Sequence, residues 1–264
     1  MRWTPGGESA DIEDRRGGGG FGFGGVPFGI GGAIVLLILS LLFGKNFFAL
    51  FQGQPQATES APVEQSPEES REVQFISFVL DDAQSTWQQI LGNRYRHAKL
   101  VLFRDATASG CGFAQAASGP FYCPVDEKVY LDLSFFDEMR DRFAASGDFA
   151  QAYVVTHEIG HHVQKLLGIR AQSRSDSVPI ELQADCFAGI WGHSTAQRNI
   201  LESGDIEEGL SAAAAVGDDR LQRMAGKRVN PDSFTHGSSQ QRAYWFRRGL
   251  ESGRIEDCDT FRGR

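Results

Sequence analysis

Two histidines separated by three residues, with a glutamate directly after the first, constrain this chain more than any other feature. They lie in VVTHEIGHHVQKLL, residues 154–167, as His157, Glu158 and His161. Residues four apart on an α-helix leave it about 40° apart around the axis, so both imidazoles share a face and can close on one small cation. Zinc is the natural occupant, and Glu158 is placed to take a proton from a water that the metal acidifies rather than to bind the metal itself. The surroundings predict the helix. Phe149, Tyr153, Ile159, Val163, Leu166 and Leu167 form an apolar surface, and Gly168 supplies a stop.

Two histidines leave a catalytic zinc site short, because such a site takes three protein donors and keeps a fourth position open. A third histidine in the pattern H-E-x-x-H-x-x-G-x-x-H is excluded, since the chain has Gln164 and Leu167 here. IELQADCFAGIW, residues 180–191, offers a glutamate instead. Glu181 comes twenty residues after His161, which leaves room for a loop over 168–178 to bring a second helix alongside the first. Glu181 is the expected third metal ligand. Asp185, one turn further on the same face, is expected to accept from the free ring nitrogen of a ligand histidine and so fix its tautomer. Without the upstream histidines, the same two carboxylates would read as an ordinary solvated helix face.

The rest of the chain frames this unit. Residues 1–25 end in RRGGGGFGFGG and offer too little apolar surface to offset their ordering entropy, so they read as disordered. Residues 26–44, VPFGIGGAIVLLILSLLFG, carry no charge. About 18 to 20 apolar residues suffice to cross a membrane as a helix, so a single transmembrane helix is expected in preference to a buried core helix. A cleaved signal peptide fits poorly, because 25 residues precede the run and no small-x-small site closes it. Arg15 and Arg16 before the span, against Lys45 after it, put the N-terminus in the cytoplasm and the bulk of the chain on the extracytoplasmic, periplasmic side. Residues 45–70 form a linker whose Gln, Pro, Ser and Glu content from 52 onward reads as flexible.

Residues 71–264 make the domain proper. An amphipathic helix over 71–91 opens it, and the runs AKLVLF, GFAQA, PFYC and KVYLDL between 95 and 133 predict a small antiparallel sheet. Helices follow over 134–145, 147–167, 178–196, 205–224 and 238–252, giving an α+β class. The formal net charge of −8, with no basic stripe, excludes nucleic acid as a main partner. Four cysteines without a C-x-x-C pair argue against a zinc ribbon and leave disulfides or buried thiols. Cys111 and Cys123 flank a turn, and Cys186 paired with Cys258 would tie the C-terminal tail to the Glu181 helix; an extracytoplasmic domain suits both. His162 sits about 100° from His161 around the helix, off the metal face. His97 and His193 have no motif around them and read as structural. The strand near residues 112–116 reads either as an edge that pairs with an extended substrate or as an ordinary sheet edge.

HEIGHH followed by ELQAD is similar to the glutamate-zincin pattern of thermolysin-like and CAAX-type membrane proteases. The fuller set, an EDRRGGGG start, one apolar span, THEIGHHVQ, ELQADCFAGIW and THGSSQQRAYWFRRG, resembles the bacterial putative neutral zinc metallopeptidase family. The resemblance covers essentially the whole chain apart from residues 52–70. It implies a zincin-like fold and a peptidase acting on protein or peptide, without naming a substrate. By analogy with thermolysin-like enzymes, it also implies that His236, in SFTHGSSQQR, faces the developing oxyanion. As a lone histidine ahead of a helix starting near Ser238, His236 reads equally well as a capping or packing residue. The expected function is a membrane-anchored zinc endopeptidase. The competing reading is a catalytically idle zinc-binding domain that holds a protein partner in the same cleft. Retention of Glu158 favours the enzyme, because a structural zinc has no use for a base beside an open position.

Overall fold

Ser66 and Pro67 start the first long helix, α1 (Pro67–Leu91). The Ser66 hydroxyl accepts from the Glu69 N–H, and Pro67 occupies the first turn, where a missing N–H costs nothing. The helix therefore begins inside the expected linker, four residues before the expected boundary at 71. Val73, Ile76, Val79, Leu80, Ala83 and Trp87 form its fully buried face. The computed structural model describes residues 1–17, 66–115, 119–143 and 147–261. Met1–Arg15 and Gln65–Arg264 form one compact unit, and a second unit, Arg16–Glu64, lies almost wholly outside the described residues.

Among the described residues, six strands follow the chain as β1 (Ile12–Asp14), β2 (Lys99–Phe103), β3 (Ala106–Ser109), β4 (Gly112–Gln115), β5 (Phe121–Cys123) and β6 (Lys128–Asp132). The main sheet has the order β1-β2-β6-β5, and β3 and β4 make a separate hairpin. The expected antiparallel sheet is thus corrected to a mixed one. β1 pairs with β2 and β2 with β6 in parallel, in the register Leu100↔Val129, and only β5 runs antiparallel to β6. The reason lies in the pattern of LVLF and VYLD, which are buried at every position rather than at alternate ones, as interior parallel strands are.

Residues 1–25 were expected to be disordered, and their beginning is not. Leu100 donates its N–H to the Asp11 carbonyl and Arg15 donates to Leu102, so β1 is stitched onto the sheet. Asp11 accepts from Lys99 at 2.8 Å and Gln84 at 2.9 Å, and Glu13 accepts from Lys128 at 2.6 Å. Trp3 packs on Phe75, ring centroids 5.2 Å apart. Ladder hydrogen bonds and ion pairs supply the order that apolar content alone does not.

The helical half comprises α2 (Ser134–Phe143), α3 (Asp148–Leu166), α4 (Ser177–Gln197), α5 (Asp205–Ala215), α6 (Asp218–Met224) and α7 (Ser239–Ser252). The single helix expected over 205–224 is two, because the chain turns before Asp218, whose carboxylate is committed to the loop ahead of α7. Phe149 of α3 stacks on Trp191 of α4 at 5.6 Å, and Trp87 of α1 meets Phe187 of α4 edge-on at 5.3 Å. α4 and α7 touch backbone to backbone. A Cβ added to Gly249 would lie 1.9 Å from the Cys186 carbonyl oxygen, and one added to Gly189 would lie 2.1 Å from that of Phe246.

The fold class stands as α+β, but the transmembrane helix expected as part of it is unsupported. Among the described residues no helix is long and apolar enough to cross a membrane. The longest of them, α1, carries Glu68, Glu69, Arg71, Glu72, Asp81 and Asp82. Residues 26–44 lie outside the described residues.

The α4–α7 contact carries a direct expectation. Gly249→Ala should destabilise the domain by about 1–3 kcal/mol through overpacking, seen as a fall in Tm of roughly 2–4 °C per kcal/mol in a circular-dichroism melt. An unchanged Tm would mean that the two helices do not touch there.

Candidate metal centre

The site depends on how closely α3 and α4 approach. Gly160 lies between the two histidines of the motif, and a Cβ on it would stand 2.9 Å from the Ala184 carbonyl oxygen. Without a side chain there, α4 comes close enough for Glu181 to reach both imidazoles. His157 Nε2 lies 3.2 Å from one Glu181 oxygen and His161 Nε2 lies 3.5 Å from the other. One donor atom from each of the three residues falls within 4.8 Å of the others. The three residues expected as metal ligands are therefore brought together.

The donor set suits zinc chemically. His157 Nδ1 is engaged with Asp185 Oδ1 at 2.9 Å and His161 Nδ1 with Gln164 Oε1 at 2.9 Å. Each Nδ1 faces an acceptor and donates to it, so each Nε2, turned toward the Glu181 carboxylate, is the nitrogen that would ligate a metal. Two nitrogens and one carboxylate, with a cleft on the remaining side, make the three-donor arrangement of an open zinc site. Burial works against charge on His157, yet Asp185 and Glu181 outweigh it and push its pKa up to about 9. Burial likewise works against charge on Glu181, but the two histidines hold its carboxyl well below the usual range. The pocket is thus built to keep an anion facing positive charge.

Asp185 is fully buried, and its role extends further than expected. Arg242 of α7 grips it with two donors, Nε to Oδ2 at 2.9 Å and Nη2 to Oδ1 at 2.8 Å. The Tyr153 hydroxyl donates to Oδ1 at 2.5 Å and accepts from Arg242 Nη2 at 3.0 Å. Burial would raise the Asp185 pKa, but Arg242 and then His157 lower it below the ordinary carboxylate value. Sequence reasoning assigned no role to Arg242 and counted Tyr153 only as apolar surface. One signal was available, since Arg242 falls in register with Phe246 and Gly249, the other buried positions of α7.

Glu158 is mostly buried and lines a cleft of 1090 Å³ together with the three candidate ligands and His236. The His236 side chain is 48% exposed. Its Nδ1 lies 2.9 Å from Thr235 Oγ1 and 3.3 Å from Asp218 Oδ1. Asp218 Oδ2 also accepts the backbone N–H groups of Thr235, His236 and Gly237, so one carboxylate shapes the whole loop. Ser238, with Gln241, caps α7, and the capping role weighed for His236 belongs to them. Gly119 and Pro120 with Phe121 and Tyr122 of β5 also line the cleft, whereas Gly112–Gln115, the described part of the run at 112–116 read as a substrate edge, does not.

Cys111 pairs with Cys123, fastening the β3–β4 hairpin to β5, and Cys186 pairs with Cys258. His162 is buried off the metal face, donating from Nε2 to the Arg96 carbonyl at 2.7 Å and accepting at Nδ1 from the Tyr122 hydroxyl at 2.9 Å. His97 bonds Asp11, and His193 donates to the Leu250 carbonyl. Metal analysis of the purified protein should find about one zinc per chain. His157→Ala and Glu181→Ala should each abolish it under dialysis, and Asp185→Ala should weaken binding about 10–100-fold. Undiminished zinc in either ligand variant would remove that residue from the site.

The family described as putative neutral zinc metallopeptidase matches residues 1–261 of the chain. The Escherichia coli (strain K12) protein YpfJ is 48% identical over 283 aligned positions, which span 99% of each chain. Mb2605 of Mycobacterium bovis and Rv2575 of Mycobacterium tuberculosis are each 44% identical over 195 positions, covering 67% of this chain and 66% of theirs. No solved structure matches the chain. With the family matched from end to end and the His157, His161 and Glu181 donors converging at one cleft, the chain belongs to the putative neutral zinc metallopeptidase family.

Proposed function

We propose that this protein is a zinc-dependent endopeptidase that hydrolyses peptide bonds of protein or peptide substrates in its cleft. The observation that carries the reading is Glu158, a carboxylate lining the cleft beside a three-donor metal site. Held by His157, His161 and Glu181, zinc supplies the Lewis acidity that polarises a carbonyl and acidifies water. Glu158 accepts the proton of the attacking water and passes it to the leaving amine as the C–N bond breaks. Asp185, clamped by Arg242 and Tyr153, keeps His157 in one tautomer and one orientation throughout. His236 stands at the cleft with Nδ1 2.9 Å from Thr235 Oγ1; accepting that hydroxyl's proton at Nδ1 puts the ring's own proton on Nε2, from which it donates to the developing oxyanion.

The substrate chain has a natural seat. β5 is the last strand of the main sheet and borders the cleft, so its outer edge offers backbone donors and acceptors to an extended peptide. Two disulfides in one domain suit an oxidising compartment, and an extracytoplasmic site of action is part of the proposal.

Glu158→Gln should retain its zinc and lose hydrolysis of an unfolded protein such as casein. If the zinc-loaded wild type cleaves neither casein nor a broad peptide library, the catalytic reading fails and the idle binding domain takes its place. His236→Ala should lower kcat by about 10²–10³-fold with little change in KM, as removal of an oxyanion donor does. A change confined to KM would instead make His236 a substrate-binding group.

A further inference from the structure

The two metal-binding histidines are held in different ways. His157 is backed by an anion, Asp185, whereas His161 is backed by the neutral carboxamide of Gln164 on its own helix. Gln164 is almost fully buried. Its Nε2 donates to the Ile180 carbonyl at 2.7 Å and to Gln183 Oε1 at 3.1 Å. Gln183, also buried, donates from its own Nε2 to the Cys258 carbonyl at 3.0 Å.

Two backbone carbonyls therefore set the direction of the whole line. A carbonyl only accepts, so the Cys258 oxygen turns the amino end of Gln183 toward the tail and its oxygen toward Gln164. The Ile180 oxygen together with Gln183 Oε1 then fixes the amino end of Gln164, which leaves Gln164 Oε1 facing His161. That oxygen requires a proton on His161 Nδ1 and so frees the Nε2 lone pair. The far end of the line is anchored twice. Cys258 is covalently joined to Cys186, and Thr260 Oγ1 donates to the Pro179 carbonyl at the start of α4.

We propose that His161 is positioned from the C-terminal tail through Gln183 and Gln164, and that the Cys186–Cys258 disulfide, by holding the Cys258 carbonyl in place, helps to set how tightly zinc is bound. The inference rests on the metal reading of His157, His161 and Glu181, and it assigns Gln164 and Gln183 as positioning residues that never touch substrate. It also makes the tail after α7 a working part of the metal centre.

The test is zinc affinity of the full chain, measured by competition with a chromophoric chelator, beside the visible spectrum of the cobalt-substituted protein and the Tm of the metal-free protein. Gln164→Leu should weaken zinc about 10–100-fold, as loss of a ligand's hydrogen-bond partner does, and should alter the cobalt bands. Gln183→Leu should act in the same direction by less, and adding it to Gln164→Leu should cost little more than Gln164→Leu alone. Cys186→Ala with Cys258→Ala should weaken zinc in the otherwise wild-type chain but not in the Gln183→Leu background. If that cysteine pair does not fold, the Gln164 and Gln183 cycle decides. Fully additive losses there, or a fall in Tm with zinc affinity and cobalt bands unchanged, would overturn the relay. His161→Ala separates the two levels: if it leaves zinc binding intact, the metal reading itself fails, whereas if it abolishes binding and the glutamine variants do nothing, only the relay fails.

Discussion

Arg242 and Asp185 are both withdrawn from water, and stripping an ion of its hydration costs several kcal/mol even after the protein relaxes. The pair is tolerable because every charged atom has a partner: two guanidinium donors meet two carboxylate oxygens, and Tyr153 and His157 take the remaining valences. These four residues come from α3, α4 and α7, so the geometry that satisfies the charges also fixes three helices against one another. Removing one partner strands the other in a dry interior, at a cost of about 3–5 kcal/mol. The histidine that faces the cleft is thus the visible end of an arrangement whose weight lies behind it.

The close packing of those helices follows from small residues at the crossing points. Gly160 allows α4 to reach α3, and Gly189 with Gly249 allows α7 to reach α4. The cleft, by contrast, is lined by elements of other kinds as well: the edge strand β5 and the loop shaped by Asp218. A floor of closely packed helices that carries His157, His161 and Glu181, with walls made of strand and loop, is a sensible division for a site proposed to hold a metal and admit a peptide.

His157, His161, Glu181 and Asp185 were legible because helical spacing puts them on shared faces, and the chemistry of a zinc site asks for a third donor at about that distance. Glu158 was legible from its adjacency to His157. Arg242 was not, since a buried arginine looks like a surface one until its acidic partner is known to be buried too. Gln164 was noticed only as the residue that excluded a third histidine, and its real place is behind His161. The sheet was misjudged because short runs broken by turn residues were read as antiparallel neighbours, while LVLF and VYLD are buried along both faces, as parallel strands are. The opening of the chain was misjudged because disorder was argued from apolar content, and β1 is held by polar contacts.

The way β1 is held has a kinetic side. Asp11 and Lys99 lie 88 positions apart, and joining ends so distant costs about 4 kcal/mol of chain entropy by the logarithmic rule for loops. Hydrogen bonds, ion pairs and the packing of Ile12 recover little of that until β2 is in place, so β1 is expected to dock late and open early. Salt screens part of what holds it. Each opening turns β2, apolar along both faces, from an interior strand into a bare edge, the surface on which neighbouring chains pair and aggregate. The polar strand at the start of the chain therefore serves as a cover for that edge.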